Sequence, residues 1–198
     1  MRNKTFLFID GSNLYGAQFE LFGPERYIDF SKFIEALIKN LYVNFDKIYF
    51  YASYSPKSKR PTVKEKLFLK NEALFYKSVR NTRNVTFFKG YRSKTSGKEK
   101  EVDVKLTADL VSFAFLNKFD TVYLFSGDAD FLQALFCIRR YHKSKNINLL
   151  CLENKLMYQG LFFFRSYIIV LKSMPQLKRK FKYLTTLRLD MESILRST

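Results

Sequence analysis

A largely apolar run near the N-terminus, Thr5-Phe-Leu-Phe-Ile9, most strongly limits how this chain can fold. Strands that are apolar at nearly every position are typical of parallel sheets, which helices cover on both faces. Similar runs recur along the chain and alternate with segments of helical spacing. We therefore predict βαβ units with right-handed crossovers and a mainly parallel sheet. The predicted strands are Thr5–Ile9, Lys47–Tyr54, Val85–Lys89, Thr121–Phe125, Ile147–Leu152 and Tyr167–Leu171, and the predicted helices are Asp29–Leu41, Val63–Val79, Glu101–Asn117, Phe131–Tyr141, Leu156–Phe163 and Gln176–Leu195.

The charge of the chain points to the class of its partner. Its 198 residues carry a formal net charge of +17, from 35 Lys and Arg against 18 Asp and Glu. Such a balance indicates a polyanionic partner, usually nucleic acid and less often an anionic membrane, although an inert basic surface is the alternative. Much of the excess lies between Pro56 and Lys100. A second basic segment, Lys178–Lys182, could bind nucleic acid, a membrane surface or an acidic protein.

Cysteine, histidine and hydropathy limit the compartment and the type of metal site. Cys137 and Cys151 lie in apolar surroundings and are typical of buried small hydrophobes, not of a disulfide framework. The single His142 excludes a cage of several His ligands within one chain. No signal peptide is recognisable, and the longest apolar run, Leu161–Leu171, is interrupted by Arg165. We expect a cytoplasmic protein with no stable membrane insertion.

Acidic residues follow or begin several predicted elements. Asp10 ends the first strand, Asp128 and Asp130 follow the fourth in the stretch Leu124–Phe131, and Asp103 begins the helix after a basic loop. Ligands of α/β proteins bind at the carboxyl ends of the strands, and the first and fourth strands can be neighbours there. Crowded carboxylates repel unless cations fill the site, and oxygen ligands favour Mg²⁺ or Mn²⁺.

Such a site could hold two metal ions, which activate a water and stabilise the leaving oxygen in phosphodiester cleavage. Ser12 and Asn13 could orient a ligand water or a phosphate, and Lys105 could offset phosphate charge. Each acid also has a structural interpretation. Asp10 could end its strand in an Asx turn, Asp128 or Asp130 could cap the next helix, and Asp103 could compensate a helix dipole. Asp109, six residues after Asp103, would face away from it on a regular helix.

Three motifs resemble one known family in order and spacing. They are FIDGSNLY at Phe8–Tyr15, KEVDVKLTADLV at Lys100–Val111 and LFSGDADF at Leu124–Phe131. They are similar to the NYN domain family, in its LabA-like branch of the PIN-like nuclease superfamily, over roughly Asn3–Leu171. Two positions depart from the family pattern: Glu101 stands where a glycine is frequent, and Gln133-Ala134 replaces a common Pro-Leu pair.

The resemblance implies a PIN-like three-layer α/β/α sandwich and a metal-dependent ribonuclease, with RNA, single-stranded or structured, as partner and DNA as an alternative. It implies a PIN-like NYN domain over residues 1–172, and we expect a basic helical extension over 173–198. It carries the catalytic and metal-binding role onto four aspartates and a polar supporting role onto two further residues. The acids are Asp10, Asp103, Asp128 and Asp130, and the supporting residues are Asn13 and Ser126.

An RNA chain would need a positive approach to these acids. The best candidates are Lys57–Lys66 and Arg92–Lys100, the second of which runs directly into Asp103 and contributes Arg92, Lys94 and Lys98. Three interleaved tyrosines could stack on unpaired bases, although a core position is at least as good an interpretation for the first; they are Tyr51, Tyr54 and Tyr91.

Two other functions fit parts of the pattern. A non-catalytic RNA-binding or scaffold module could keep the acids for structure or metal. A phosphatase of the haloacid dehalogenase type also joins strand-end aspartates to Mg²⁺, but it needs a second acid two residues after the first. That position is Ser12 here, which argues against this function.

Overall fold

The computed structural model describes residues 3–92, 99–170, 181 and 183–197, and the side chains of 92, 99 and 100 lie outside that description. In chain order the elements are β1 (Thr5–Asp10), α1 (Gly11–Phe22), β2 (Arg26–Ile28), α2 (Phe30–Leu41), β3 (Lys47–Ala52), α3 (Val63–Asn81), β4 (Val85–Lys89), β5 (Tyr91–Arg92), β6 (Glu99–Lys100), α4 (Val102–Phe115), β7 (Thr121–Phe125), a 3-10 turn (Ala129–Phe131), α5 (Leu132–Tyr141), β8 (Asn146–Leu152), α6 (Tyr158–Phe163), β9 (Arg165–Ile169), β10 (Leu184–Leu187), α7 (Met191–Ile194) and β11 (Leu195–Ser197).

A seven-stranded sheet in the order β10-β9-β8-β7-β1-β3-β4 forms the centre of the molecule. Every neighbouring pair of strands in it runs parallel. This confirms the mainly parallel sheet predicted from the apolar runs. Two short antiparallel pairs, β11 with β2 and β5 with β6, lie outside it.

Side chains of β1 alternate between two cores, one on each face of the sheet. Leu7 and Ile9 belong to the core that includes side chains of α1, α2 and α3. Phe6 and Phe8 belong to the core that includes side chains of α4 and α5 and the residues on either side of α6, Met157 and Phe164. Burial of β1 on both faces explains its continuous apolar run, and the helical cores on the two faces confirm the predicted three-layer α/β/α architecture.

The chain leaves β1 toward β3 on one side and returns to β7 on the other, so the direction of strand order changes at β1. Ile9 pairs with Phe125, which places the carboxyl ends of β1 and β7 side by side. This is the topological switch point at which open α/β sheets bind ligands. The expected neighbourhood of the first and fourth predicted strands is therefore confirmed.

α1 begins directly at Gly11, where the sequence indicated only a turn. Asp10 is its N-cap, and its side chain accepts from the backbone N–H of Asn13. A Cβ on Gly11 would lie 2.2 Å from the ring of Phe50 and 2.9 Å from the carbonyl oxygen of Tyr51. Only glycine therefore lets the start of α1 come this close to β3.

The basic C-terminal helix predicted over Gln176–Leu195 is wrong for the described part of that segment. β10 extends the main sheet beside β9, α7 is a single helical turn, and β11 pairs with β2. The apolar residues of this segment have helical spacing, but contacts with distant strands determine that part of it forms strands. Residues 171–180 and 182, which include most of the basic segment Lys178–Lys182, lie outside the described residues. The boundary between the domain and an extension over 173–198 stays a prediction.

Candidate active site

Asp10 is the central carboxylate of the candidate site. It ends β1 and is only 5% exposed. Its Oδ1 accepts from the backbone N–H of Asn13 at 3.0 Å, and its Oδ2 accepts from the hydroxyl of Ser126 at 3.0 Å. Both carboxylate oxygens are therefore oriented by the chain, one from α1 and one from the end of β7.

Ser126 and Asn13 tie the ends of β1 and β7 together. Ser126 is fully buried, and while its hydroxyl donates to Asp10 it accepts from the backbone N–H of Asp128 at 3.0 Å. The side-chain oxygen of Asn13 accepts from the backbone N–H of Gly127 at 3.1 Å. This geometry agrees with the supporting role that the resemblance implies for both residues, and that role stays a prediction.

Gly127 makes the turn between β7 and the acidic pair possible. A Cβ at this position would lie 2.4 Å from the carbonyl oxygen and 2.7 Å from the carbonyl carbon of Lys155. Backbone atoms at such distances cannot be accommodated without a shift of one segment. The glycine therefore allows the turn to pass against the segment after β8 while it presents Asp128 at the edge of the sheet.

Asp128 and Asp130 occupy the predicted place after β7. Asp128 is partly exposed, and its Oδ1 accepts from the backbone N–H of Asp130 at 2.9 Å, so it caps the 3-10 turn. Asp130 is exposed. The structural interpretation of Asp128 as a capping residue is thus correct, whereas Asp10, for which an Asx turn was the alternative, caps α1. A capping oxygen retains a lone pair, and the second oxygen of Asp128 remains available for other contacts.

Asp103 lies exposed in the first turn of α4. The residue that caps this helix, Glu101, has φ of 71°, in the left-handed region that glycine adopts at no steric cost. This explains why the related family frequently has glycine there. Glu101 contributes no side-chain cap to α4, so its departure from the pattern changes the backbone strain before Asp103.

The charges of these aspartates interact. The pKa of Asp10 is raised from 3.8 to about 6, mainly by burial; the negative charges of Asp103 and Asp128 add to this rise, and the hydrogen bonds from Asn13 and Ser126 oppose it. The structure therefore brings the three acids close enough to repel one another. A cation placed between them would reverse this effect, because an opposite charge favours the ionised form.

The donor set fits a hard divalent cation. The groups present at the edge are carboxylate, amide and hydroxyl oxygens, which are the ligands of Mg²⁺ and Mn²⁺. Within the part of the chain that the structure describes, no three His, Cys, Asp or Glu side chains are grouped closely enough to hold one ion. The acids that influence the pKa of Asp10 are thus farther apart than the ligands of one bound ion would be. The metal-binding role of Asp10, Asp103, Asp128 and Asp130 stays a prediction.

Lys105 and Asp109 form a second, mainly structural arrangement beside the site. The ammonium of Lys105 lies 2.5 Å from Oδ1 of Asp109, and the hydroxyl of Tyr51 donates to Oδ2 at 2.9 Å. Both carboxylate oxygens of Asp109 therefore have a partner within the protein. Tyr51 is buried, with 1% of its surface exposed, so the proposal that it stacks on bases is wrong and its core interpretation is correct.

The remaining basic and aromatic candidates are partly described. Tyr54 is half-buried and Tyr91 is exposed. Arg92 is described only as backbone in β5, and Lys94 and Lys98 lie outside the described residues. A groove of about 660 Å³ lies past the end of β3, between the following loop and α3. Its cationic lining comprises Lys57, Lys66 and Lys70 beside Tyr54.

The loop that forms this groove is anchored by a buried acid. Glu72 is 2% exposed and accepts from both the backbone N–H and the hydroxyl of Ser55, at 2.9 and 2.7 Å. Lys70 was not among the candidates from the sequence. It lies on a helix and two turns beyond the basic loop, so only its spatial position identifies it as part of the same surface.

A parallel three-layer sandwich with acids at its switch point is an α/β architecture that binds ligands at the carboxyl ends of its strands. The model of the NYN domain matches residues 4–161, and the chain belongs to this family. NYN domains are generally nucleases of the PIN-like type, so family membership supports hydrolysis of nucleic acid at that coarse level. The LabA-like branch stays a prediction.

A solved structure confirms the fold independently. The chain is similar to a crystallised protein of unknown function from Vibrio parahaemolyticus, with 18% sequence identity and a TM-score of 0.57. The similarity covers 87% of this chain and 94% of that one. Among curated proteins, no sequence matches the chain. Of the helices in the described residues, none is long and apolar enough to cross a membrane.

Proposed function

We propose that the chain is a metal-dependent ribonuclease that hydrolyses phosphodiester bonds within RNA at the shared edge of β1 and β7. The observation that carries this proposal is the state of Asp10. Its carboxylate is almost completely buried and is held by two hydrogen bonds, and burial, with a smaller contribution from two neighbouring acids, raises its pKa to about 6. A buried acid in this electrostatic position is typical of a functional site.

In this proposal Asp10, Asp103 and Asp128 bind Mg²⁺ or Mn²⁺, and Asp130 contributes directly or through a water. When bound, such ions activate a water and stabilise the leaving oxygen. Ser126 fixes the second oxygen of Asp10, because its hydroxyl oxygen accepts from the backbone N–H of Asp128 while its proton is donated to Asp10.

Other residues of the chain would place the substrate. Asn13 holds the Gly127 turn, and Ser12 lies at the start of α1, from which it would orient a water or a phosphate oxygen. Lys105 is already paired with Asp109, so it would present a partly neutralised charge to phosphate. We propose that Arg92, Lys94 and Lys98 contact phosphates on one side of the acids.

Cleavage of a labelled single-stranded RNA tests the proposal. We expect products in Mg²⁺ or Mn²⁺, none in EDTA, and a loss of at least about 100-fold in Asp10→Asn and Asp128→Asn, as for removal of a preorganised charge from an active site. Glu35→Gln is the matched control, because Glu35 is an exposed acid on α2. Unchanged rates in both aspartate variants would overturn the mechanism.

A non-catalytic RNA-binding module is the second candidate. It is favoured by the capping hydrogen bonds of Asp10 and Asp128, which give these acids a structural use without metal. Binding of RNA with a constant affinity in Mg²⁺ and EDTA, and no cleavage of single-stranded or hairpin substrates, would select this function.

A further inference from the structure

A second groove opens at the opposite end of the sheet, where β1 and β3 begin and α4 ends. Its volume is about 510 Å³. Three aromatic rings and three lysines dominate its lining, together with one acid. These residues are Phe6, Tyr49 and Phe113, then Lys4, Lys47 and Lys118, and Asp46.

The aromatic rings form a continuous surface. The ring centroids of Tyr49 and Phe113 are 5.2 Å apart, those of Phe6 and Tyr49 are 5.7 Å apart, and those of Phe6 and Phe113 are 6.5 Å apart. Phe6 is buried beneath the other two, while Tyr49 and Phe113 are half-buried at the rim. The rings of Tyr49 and Phe113 are tilted by 57° to each other, so a planar ligand can stack on one of them and contact the other with its edge.

The lysines give the groove a positive rim. Lys4, Lys47 and Lys118 are exposed, and within residues 3–92, 99–170 and 183–197 none of their ammonium groups forms an ion pair. The acid in the lining is engaged elsewhere, because Oδ2 of Asp46 accepts from the backbone N–H of Thr5 at 2.8 Å. The groove thus keeps a net positive charge beside its rings.

We infer that this groove binds an unpaired nucleotide of a single-stranded nucleic acid, with the base on Tyr49 and Phe113 and the flanking phosphates on the three lysines. Rings for base stacking and a cationic rim that follows the backbone are the two features of single-strand binding sites. The inference rests on the proposed function, since the strand bound here would be the substrate that is cut at the other end of the sheet.

The separation of the two sites suits one strand. Asp10 and Phe6 are four residues apart on β1, or about 13 Å at the rise of a parallel strand. Asp103 and Phe113 are ten residues apart on α4, or about 15 Å at the rise of a helix. The distances along β1 and along α4 are thus nearly equal. One nucleic-acid strand could contact the groove and the acids at once without bending of the protein.

A tryptophan reporter tests occupancy of the groove directly. The chain contains no Trp, so Phe113→Trp or Tyr49→Trp introduces a single indole at the rim. In EDTA, where cleavage is absent, we expect a single-stranded RNA of about 20 nucleotides to quench this fluorescence and a blunt duplex to leave it unchanged. Phe162→Trp on α6 is the control, because it places the indole at an exposed position outside the groove.

Saturated binding by anisotropy with no quenching in either rim variant would overturn the inference. Using two rim positions keeps the test valid if one variant fails to fold, which circular dichroism would show. Because both readouts are taken in EDTA, they do not depend on the metal or on cleavage. If RNA quenches the fluorescence but the protein does not cleave RNA in Mg²⁺ or Mn²⁺, only the proposed function is contradicted.

Charge and stacking variants give a second, quantitative test. Lys4, Lys47 and Lys118 replaced together by Gln should make the salt dependence of log Kd shallower by about 2, since each phosphate contact on a single strand contributes about 0.7. A triple replacement of Lys39, Lys77 and Lys143 removes the same charge from other exposed positions and should leave the slope unchanged. Tyr49→Leu should weaken binding about 5- to 150-fold. Equal slopes for the two triple variants would refute the site.

Discussion

Replacement of Asp10 by Asn should stabilise the protein at neutral pH in the absence of divalent cations. Asp10 has a pKa of about 6 in the folded chain against 3.8 ordinarily, because burial disfavours its charged form. Between these values the folded state binds more protons than the unfolded state, so stability falls as pH rises through that window. The difference of about two pKa units costs the wild type about 3 kcal/mol above pH 7.

Asn cannot ionise and removes this cost. Its side chain has one acceptor oxygen in place of two, so it keeps the hydrogen bond from Asn13 or the one from Ser126, but not both. The lost hydrogen bond costs about 1 kcal/mol of stability. We therefore expect Asp10→Asn to be about 2 kcal/mol more stable than the wild type at pH 8 and about 1 kcal/mol less stable at pH 3.5, near the lower limit of the titration.

Urea unfolding in EDTA at several pH values measures this difference. Glu35→Gln serves as the control, because an exposed acid should show little pH-dependent change. A difference between Asp10→Asn and the wild type that does not vary with pH, or a variant that is less stable at pH 8, would refute the reasoning. Added Mg²⁺ at about ten times its Kd should stabilise the wild type by about 1.4 kcal/mol and the variant by less.

Two further substitutions test the backbone and the C-terminal contacts. Gly127→Ala would place a Cβ 2.4 Å from the carbonyl oxygen of Lys155, so we expect the free energy of unfolding to fall by about 1–3 kcal/mol and cleavage to be lost. Gly16 lies inside α1 and its added Cβ would meet nothing within 4 Å, so Gly16→Ala should instead stabilise the protein by about 0.5–1 kcal/mol. Arg196→Ala removes the guanidinium whose Nε donates to the buried carboxylate of Asp29 at 2.8 Å; thermal unfolding should show a loss of about 1 kcal/mol, and no loss would mean that β11 is held by its strand pairing alone.

The sequence predicted those parts of the site that lie within single strands and their ends. The runs before Asp10 and Asp128 are apolar on both faces, which indicates central strands of a parallel sheet, and such strands expose ligand residues only at their carboxyl ends. The positions of these acids at one edge therefore followed from local pattern alone. The cap formed by Asp128 was also predicted, because Asp is a common N-cap residue, whereas an Asx turn was expected at Asp10, which instead caps α1.

The C-terminal segment shows where local pattern failed. Basic residues followed by apolar ones at helical spacing indicated one long helix, yet Leu184–Leu187 is a strand. Its two central threonines favour a strand, but the deciding contact is the exposed edge of β9, which is more than ten residues away in sequence. A sequence pattern does not show which edge of a sheet remains unpaired. The sequence did not predict α1, because Gly11 was interpreted as part of a turn. In the structure this glycine instead permits a close approach of the helix to β3.

The nucleotide groove was not predictable for the same physical reason. Lys4, Lys47 and Lys118 are distant in sequence, and each alone is an ordinary exposed lysine near the end of an element. The fold brings them together because β1 and β3 pair in parallel and α4 ends beside them. Tyr51 has the core position that the sequence offered as an alternative to stacking, whereas Tyr49, two residues earlier on the same face of β3, lies at an accessible rim.

α4 connects the two ends of the proposed RNA path. Its first turn carries Asp103 at the acidic edge, and its last turns carry Phe113 at the aromatic groove. Between them, Asp109 binds Lys105 and the buried hydroxyl of Tyr51, which fixes the helix against β3. Any change in the packing of α4 would therefore alter both sites at once. Because rigid elements hold a site more accurately than loops do, the Asp109 contacts are best explained as the brace that keeps the acids and the groove at a constant separation.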